Sequence, residues 1–430
     1  MNSQLDIAKR IMRTLADHGH QACLVGGFVR DNWLGRPARD IDIATSATPE
    51  EVARLFERTE PTGMRHGTVT VIVDGTPFEV TTFRVESGYA DHRRPDSVTF
   101  VKSLVNDLSR RDFTMNAMAM TADGELIDPF GGADDLEAGV LRSVGDPQTR
   151  FEEDALRLLR CIRFAADYGL AVDGPTWDGL LKRAPLLGRI AVERIRTELE
   201  RIVEGSDPAR GLKLLSESGI LRAAEGAGKA VEAVGAAMER AAADGAAAAA
   251  LNRLNAPAER WALLFLAAGI GAGSCAETLR ALTFSGRKTD GICAVLRFHE
   301  ALGKVHGAEG EAMRRGFCVA VVESGKPAAE AWLNIADALR EDSGGQPAAL
   351  RGLERAAEEG RRWLAEMPVT SLKELDIDGR GLIALGVRPG PEVGRLLKLL
   401  LAEAAAGEVV NSRERLAERA RRRLAGEDGR

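Results

Sequence analysis

Two aspartates, Asp40 and Asp42, flank a single isoleucine in the stretch LVGGFVRDNWLGRPARDIDIAT, residues 24–45. On a strand, side chains alternate between faces, so the pair shares one side while Ile41 and Ile43 turn to the core. Two carboxylates held that close repel unless a cation sits between them. Hard oxygen donors select Mg²⁺ or Mn²⁺, which keep several waters and complete their shells with substrate phosphates. Glu79, in PFEVTT, lies at the end of a hairpin expected to pair beside this strand and is the candidate third ligand. Three acids are what a two-metal, in-line phosphoryl transfer uses, one ion activating a hydroxyl and the other steadying the departing diphosphate.

Upstream of the acids, Gly26 and Gly27 leave backbone N–H groups free to approach a phosphate at the start of a helix, whose dipole favours anions. Arg30 follows one turn later and is suited to phosphate oxygens. A Gly-Gly turn alone is weak, and a lone DxD is commonly a surface turn. In this order, and within about 17 residues along a strand–helix–strand run, they read as a nucleotidyltransferase active site.

The elements that must position these groups are legible nearby. ACLVGG reads as a short buried strand, FVRDNWLG as a helix closed by Gly35, and DIDIAT as a second strand. TPEEVARLFE has a capped start, with Thr48 as N-cap, Pro49 at the first position and Glu51 three residues after the cap. GTVTVIVDGTPFEVTTFR is a hairpin turning at Asp74-Gly75. Beyond Phe151 strand signals almost disappear: FEEDALRLLRCIRFAADYG and AVERIRTELERIVEG are amphipathic helices. The Ala-rich segment 223–251 is expected to contain a surface helix.

Bulk properties bound the rest. A chain of 430 residues, 45% hydrophobic and only 5% aromatic, calls for two to four domains with aliphatic, largely helical cores. Its net charge of −6 gives no global attraction for nucleic acid, so such a partner needs a local basic surface. Five scattered cysteines, none in CxxC spacing, argue against a disulfide framework or zinc site. The N-terminus is unlike a signal peptide, and the apolar run from Trp261 is too short to span a bilayer. A cytoplasmic protein is expected.

LVGGFVRDNWLGRPARDIDIAT, RRDFTMNAMAM, DPFGGADDLEAGVLRSVGDPQTRF and EEDALRLLRCIRFAADYGL follow, in order and spacing, the motifs of the class II tRNA nucleotidyltransferases, and the sequence resembles the CCA-adding enzymes of that family. The segment LDIDGRGLIALGVRPGPEVGRLLKLLLAEAAAGEVVNSRERL resembles the tail of the shorter bacterial type. The resemblance implies an α+β chain. A polymerase β-like α/β nucleotidyltransferase head (1–135) precedes an all-α remainder: a neck with a nucleotide-selecting helix (136–205), an RNA-binding body (206–330) and a tRNA-binding tail (331–430). It implies Mg²⁺, CTP and ATP as substrates, and tRNA held by its acceptor and TΨC arms.

Such an enzyme reads the base with amino acids. Cytosine and adenine both present an amino donor beside a ring-nitrogen acceptor, whereas uracil and guanine present the reverse. One carboxylate and one guanidinium therefore accept C and A and leave groups unpaired with U and G. Asp154 and Arg157, three apart on a helix expected over 152–166, share a face and are assigned to the base edge, as the family motif implies. Arg160 and Arg163 drift off that face and are expected to brace the readers or touch the triphosphate. By the resemblance, Arg111 contacts the nucleotide and Asp112 its sugar, while Asn116 is read as a cap or turn residue.

The charged stretch RVESGYADHRRPDSVTF, with Gly88 and Arg93-Arg94-Pro95, resembles the family loop tied to the switch from C to A addition and favours complete CCA activity. Specialised CC- or A-adding enzymes and poly(A) polymerases remain alternatives, although the arginine-rich run of the polymerases is missing after the DxD strand. A catalytically silent RNA-binding protein would show a lost carboxylate or a broken EDxxR element, and neither is present. None of the six histidines precedes an aspartate, so an HD phosphohydrolase domain is not expected. In the tail, Gly386, Gly390-Pro391 and Gly394 either open backbone amides to tRNA phosphates or shape a tight helix–turn–helix. The arginine-rich last helix is read chiefly as a solvated face.

Overall fold

Backbone pairing near the N-terminus sets the site. The computed structural model describes residues 2–38, 40–88, 97–224, 226–305, 307–308, 310–341 and 348–425. It forms two compact units, residues 1–207 with 217–228, and residues 208–216 with 229–430.

The first unit opens with helix α1 (Asn2–Asp17), strand β1 (Ala22–Val25), helix α2 (Gly27–Trp33), strand β2 (Asp42–Thr45) and helix α3 (Pro49–Leu55). Strands β3 (Thr59–Gly63), β4 (Thr68–Val73), β5 (Thr76–Thr82), β6 (Arg84–Ser87) and β7 (Ser97–Phe100) follow. After them come α4 (Leu104–Ser109), β8 (Ala119–Met120), β9 (Leu126–Ile127) and α5 (Gly132–Glu137). A seven-stranded sheet runs in the order β3-β4-β5-β2-β1-β8-β9. Only β2 and β5 pair in parallel within it; the other neighbours are antiparallel.

Local chemistry explains these elements. Thr48 and Glu51 form the reciprocal capping box that starts α3, and Asp74 and Gly75 take φ values of 52° and 76° in the β4–β5 turn. Cys23, Val25, Ala44, Phe83, Leu108 and Ala119 pack into one core under the sheet. Residues 89–96, which carry Arg93, Arg94 and Pro95, lie outside the described residues.

Next come β10 (Val140–Leu141), α6 (Pro147–Glu153), α7 (Leu156–Tyr168), β11 (Ala171–Val172), α8 (Gly174–Arg183) and α9 (Val192–Val203). The continuous helix expected over 152–166 is therefore two helices. Asp154 is extended (φ −139°, ψ 102°), and its Oδ1 accepts the Leu156 N–H at 3.1 Å, which starts α7 afresh.

The second unit is helical. The Ala-rich segment forms two helices, Lys229–Ala243 and Gly245–Arg253, that bury Val231, Val234, Met238, Ala247 and Leu251 on one face and leave Lys229, Glu232 and Arg240 exposed. In the tail, Gly386 and Gly390 have φ of 96° and 133°, which favour glycine and bracket the start of helix Pro391–Ala405. Among the described residues, no single helix is long and apolar enough to cross a membrane.

Candidate active site

Strand register builds one row across the sheet. Val25, the last residue of β1, pairs with Asp42, and Asp42 pairs with Glu79 on β5. Directly opposed residues share a face, so Asp42 and Glu79 lie side by side, next to the Gly26–Gly27 turn that leaves β1. Asp40 precedes β2 rather than lying on it, yet it lines the same cavities as Asp42. Removal from water raises the Asp42 carboxyl above the ordinary carboxylate range, Glu79 and Asp40 add to that, and Arg111 opposes them. Among the described residues, no three metal-ligating side chains are already gathered around one point. The donor chemistry still fits a hard divalent cation: three acidic oxygen donors, two of them in register, crowd without a neutralising partner among themselves.

Gly26 has φ 70° and ψ −132° and caps α2. A Cβ there would come within 3.0 Å of Arg111 Nη1. The turn, Arg30, Asp40 and Asp42 line a cleft of about 850 Å³ together with Arg163 and Tyr168. Arg30 is buried and its guanidinium faces inward: Nε and Nη2 donate to Asp31 at 2.9 and 3.1 Å, and Nη1 donates to Asn116 Oδ1 at 2.6 Å. Its Cζ lies 4.4 Å from the Tyr168 ring centroid. The free phosphate-facing arginine expected from the sequence is thus a bound one.

Asn116, read from the sequence as a cap or turn residue, is a hub. Its Nδ2 donates to Asp112 Oδ1 at 3.0 Å while its Oδ1 accepts from Arg30. Asp112 also accepts from Arg160 at 2.6 and 2.9 Å. Burial alone would raise the Asp112 carboxyl, but Arg160, the Asn116 amide and Arg157 hold it well below the usual range. Arg111 reaches Asp107 at 3.5 Å and the Asn116 carbonyl at 3.3 Å. Burial opposes its charge and Asp107 supports it.

Asp154 lies outside α7 and Arg157 within it; the Asp154 carbonyl accepts the Arg157 N–H at 3.0 Å, but their side chains take different partners. Arg194 of α9 holds the Asp154 carboxylate at 3.1 and 3.3 Å, beside a second cavity of about 380 Å³ that Arg160 also lines. Arg157 donates to Glu153 at 2.7 Å and to the carbonyls of Arg150 and Arg110 at 3.0 Å each. Arg163 pairs with Glu198 at 2.8 Å, and its Cζ lies 4.0 Å from the Phe164 centroid. Arg201 lines both cavities, which makes them neighbours.

Family profiles match three stretches: the poly A polymerase head domain over residues 22–142, the RNA and SrmB-binding site of polymerase A over 169–224, and tRNA nucleotidyltransferase domain 2 over 252–420. The chain is 38% identical over 408 residues to the CCA-adding enzyme of Limosilactobacillus reuteri, covering 94% of this chain and 93% of the relative. It belongs to the CCA-adding enzymes. The solved CCA-adding enzyme of Bacillus stearothermophilus in complex with CTP superposes with a TM-score of 0.78 at 35% identity, covering 98% of each chain. The Thermotoga maritima CCA-adding enzyme complexed with tRNA shares the fold, with a TM-score of 0.64 at 21% identity over 97% of this chain and 95% of that one.

Three polar residues in or behind this CCA-adding enzyme's cleft escaped the sequence reading of the site: Asp31 and Tyr168 on its wall and the buried Asn116. Asp31 follows Arg30, and Asn116 sits four residues after Asp112, so spacing alone marked both as reachable neighbours. Tyr168 is one of only two tyrosines in the chain and ends the helix that bears Arg157, Arg160 and Arg163.

Proposed function

We propose that this enzyme adds C, C and A in turn to the 3′ end of tRNA without a nucleic acid template, using CTP and ATP and releasing diphosphate. The observation that carries this is the row formed by the glycine turn, Asp42 and Glu79 at the edge of a cleft, in a chain closely related to CCA-adding enzymes along nearly its whole length. The CTP in the Bacillus stearothermophilus relative supports the nucleotide, and the tRNA in the Thermotoga maritima relative supports the acceptor. A match to the second tRNA nucleotidyltransferase domain over 252–420 favours this reading over a poly(A) polymerase.

Asp40, Asp42 and Glu79 would hold Mg²⁺ or Mn²⁺, which when bound activates the tRNA 3′-hydroxyl and neutralises charge on the departing diphosphate. The N–H groups of the Gly26–Gly27 turn receive phosphate oxygens, with Arg111 beside the turn and Arg163 on the cleft wall supplying positive charge. Asp112 lies next to the sugar through the same network. Asp154 accepts the exocyclic amino hydrogen of cytosine or adenine, and Arg157 donates to the adjacent ring nitrogen. Arg194 holds the Asp154 carboxylate and Glu153 the Arg157 guanidinium, so each reader keeps an oppositely charged partner beside the base. Uracil and guanine offer a donor where Arg157 donates and an acceptor where Asp154 accepts, and are rejected. The helical second unit holds the acceptor and TΨC arms by shape and phosphate contacts. Five buried free thiols suit a cytoplasmic setting.

The test is incorporation of labelled CTP, ATP or both into tRNA lacking its 3′ CCA. Two C additions with CTP alone, and a terminal A only when both are supplied, are expected. Incorporation of one nucleotide alone in every condition would assign a specialised CC- or A-adding enzyme instead.

A further inference from the structure

We propose that Tyr168 is a positioning residue for nucleotide transfer: it fastens the glycine turn to the helix that selects the base. The inference rests on the activity proposed above. Tyr168 Oη donates to Asp31 Oδ1 at 2.7 Å, and its ring lies 4.4 Å from Arg30 Cζ and 4.7 Å from Arg36 Cζ. Arg30 and Asp31 are both on α2, the helix opened by the phosphate-binding turn.

Tyr168 closes a circuit. Arg30 binds Asn116, Asn116 binds Asp112, and Asp112 binds Arg160 on the first half of α7. From Arg160 the helix runs eight residues to Tyr168, about 12 Å at 1.5 Å per residue, and Tyr168 returns to Asp31 and Arg30. Core packing of Leu158, Ile162 and Phe164 seats α7, and the Arg160 arm ties only its first half to α2 through polar groups. Two attachments to the same short helix fix both the distance and the angle between the turn and α7. That distance must match the span from triphosphate to base edge, because the turn takes one end of the nucleotide and the Asp154–Arg157 segment takes the other. Positioning at this level changes binding and discrimination before it changes the chemical step. The Arg160 arm runs through buried Arg30, Asn116 and Asp112 to a half-buried arginine, whereas the second arm reaches α2 through the hydroxyl and ring of one half-buried side chain. It is therefore the arm that a single substitution loosens without unfolding the head.

The full-length enzyme, with Tyr168→Phe and Tyr168→Ala variants, would be assayed with CTP on tRNA lacking CCA and with ATP on tRNA lacking only the terminal A. Tyr168→Phe keeps the stack and loses the Asp31 bond, so KM for both nucleotides should rise about 3-fold; Tyr168→Ala loses both and should raise it about 10-fold. In both variants kcat stays within about 2-fold, and UTP misincorporation on tRNA lacking CCA increases in the same order. Combining Tyr168→Phe with Asp31→Ala should add nothing to Asp31→Ala alone, since the hydroxyl has no acceptor left at position 31 to lose. Unchanged KM in Tyr168→Ala, or a fall in kcat with KM unmoved, overturns the latch while leaving the activity intact. A wild-type enzyme that incorporates neither nucleotide overturns the activity and the latch with it.

Discussion

Asp42 stands where three negative charges meet, and single substitutions there separate stability from function. Glu79 and Asp40 both push its carboxyl toward the neutral form, so ionised Asp42 is a cost to the folded state in the absence of a cation. Asp42→Asn is expected to abolish nucleotide incorporation by at least about 10³-fold, as loss of a metal-bearing carboxylate would, while its thermal midpoint without divalent ions equals or exceeds that of wild type. Adding Mg²⁺ should raise the wild-type midpoint by mass action and leave that of Asp42→Asn in place; equal shifts in both would remove Asp42 from the ion's ligands. Gly26 is constrained by conformation. At φ 70° and ψ −132°, with Arg111 Nη1 at 3.0 Å from the position of a Cβ, Gly26→Ala should cost about 1–3 kcal/mol of strain, and relief by moving the turn should raise nucleotide KM in steady-state assays.

At the scale of elements, the Asp112–Arg160 pair joins α7 to the segment after α4, and its linkage to pH has a definite sign. The folded Asp112 carboxyl lies below its unfolded value of about 3.9, so the stabilisation is fully present above that value and disappears as pH falls through the folded one. Urea unfolding between pH 7 and pH 3 should show wild type losing more stability than Arg160→Met, which is already about 3 kcal/mol weaker at pH 7 because a buried carboxylate loses its ion-pair partner. Parallel pH curves would break the assignment. The elements also show what sequence conveys. The α3 capping box and the Asp74-Gly75 hairpin depend on residues a few positions apart, and both were legible. The break at Asp154 was not, because FEEDALRLLR keeps helical spacing on both sides of it, and the Asp154 carboxylate that caps Leu156 is also held by Arg194, forty positions away. The acids of the DxD strand were legible as a pair through period-two alternation, but Asp40 lies just outside the strand. Arg30 was legible as a charge near the glycine turn and not as a buried one, since Asn116 and Tyr168 reach it from 86 and 138 residues further along. The Ala-rich segment was legible as helix but not as two helices, because the cap that separates them is the single residue Asp244 within an alanine run.

At the scale of the molecule, a chain of net charge −6 must hold an RNA of high negative charge, so the basic residues that face solvent matter more than the total. The arginines of the last helix, Arg413–Leu424, divide into two groups. Arg419 and Arg423 close on Glu403, only 2% exposed, with Arg419 at 3.0 and 3.1 Å, and so serve the packing of helix Pro391–Ala405. Among the described residues Arg415 and Arg422 reach only Glu418, at 3.2 and 2.7 Å, on their own helix, and with Arg421 they are exposed. Ion pairs of that exposed kind are worth little and can be exchanged for phosphates. Deleting the helix would uncover Glu403 and confuse folding with binding, so charge removal is the cleaner probe. Arg415→Gln, Arg421→Gln and Arg422→Gln together should reduce the slope of log tRNA affinity against log salt by about 2, at about 0.7–0.9 per lost phosphate contact, with thermal stability unchanged. Arg419→Gln with Arg423→Gln should instead lower thermal stability and leave the slope of the folded enzyme as it was. An unchanged slope in the triple variant would place the tail helix outside the tRNA footprint and move the required basic surface elsewhere in the second unit.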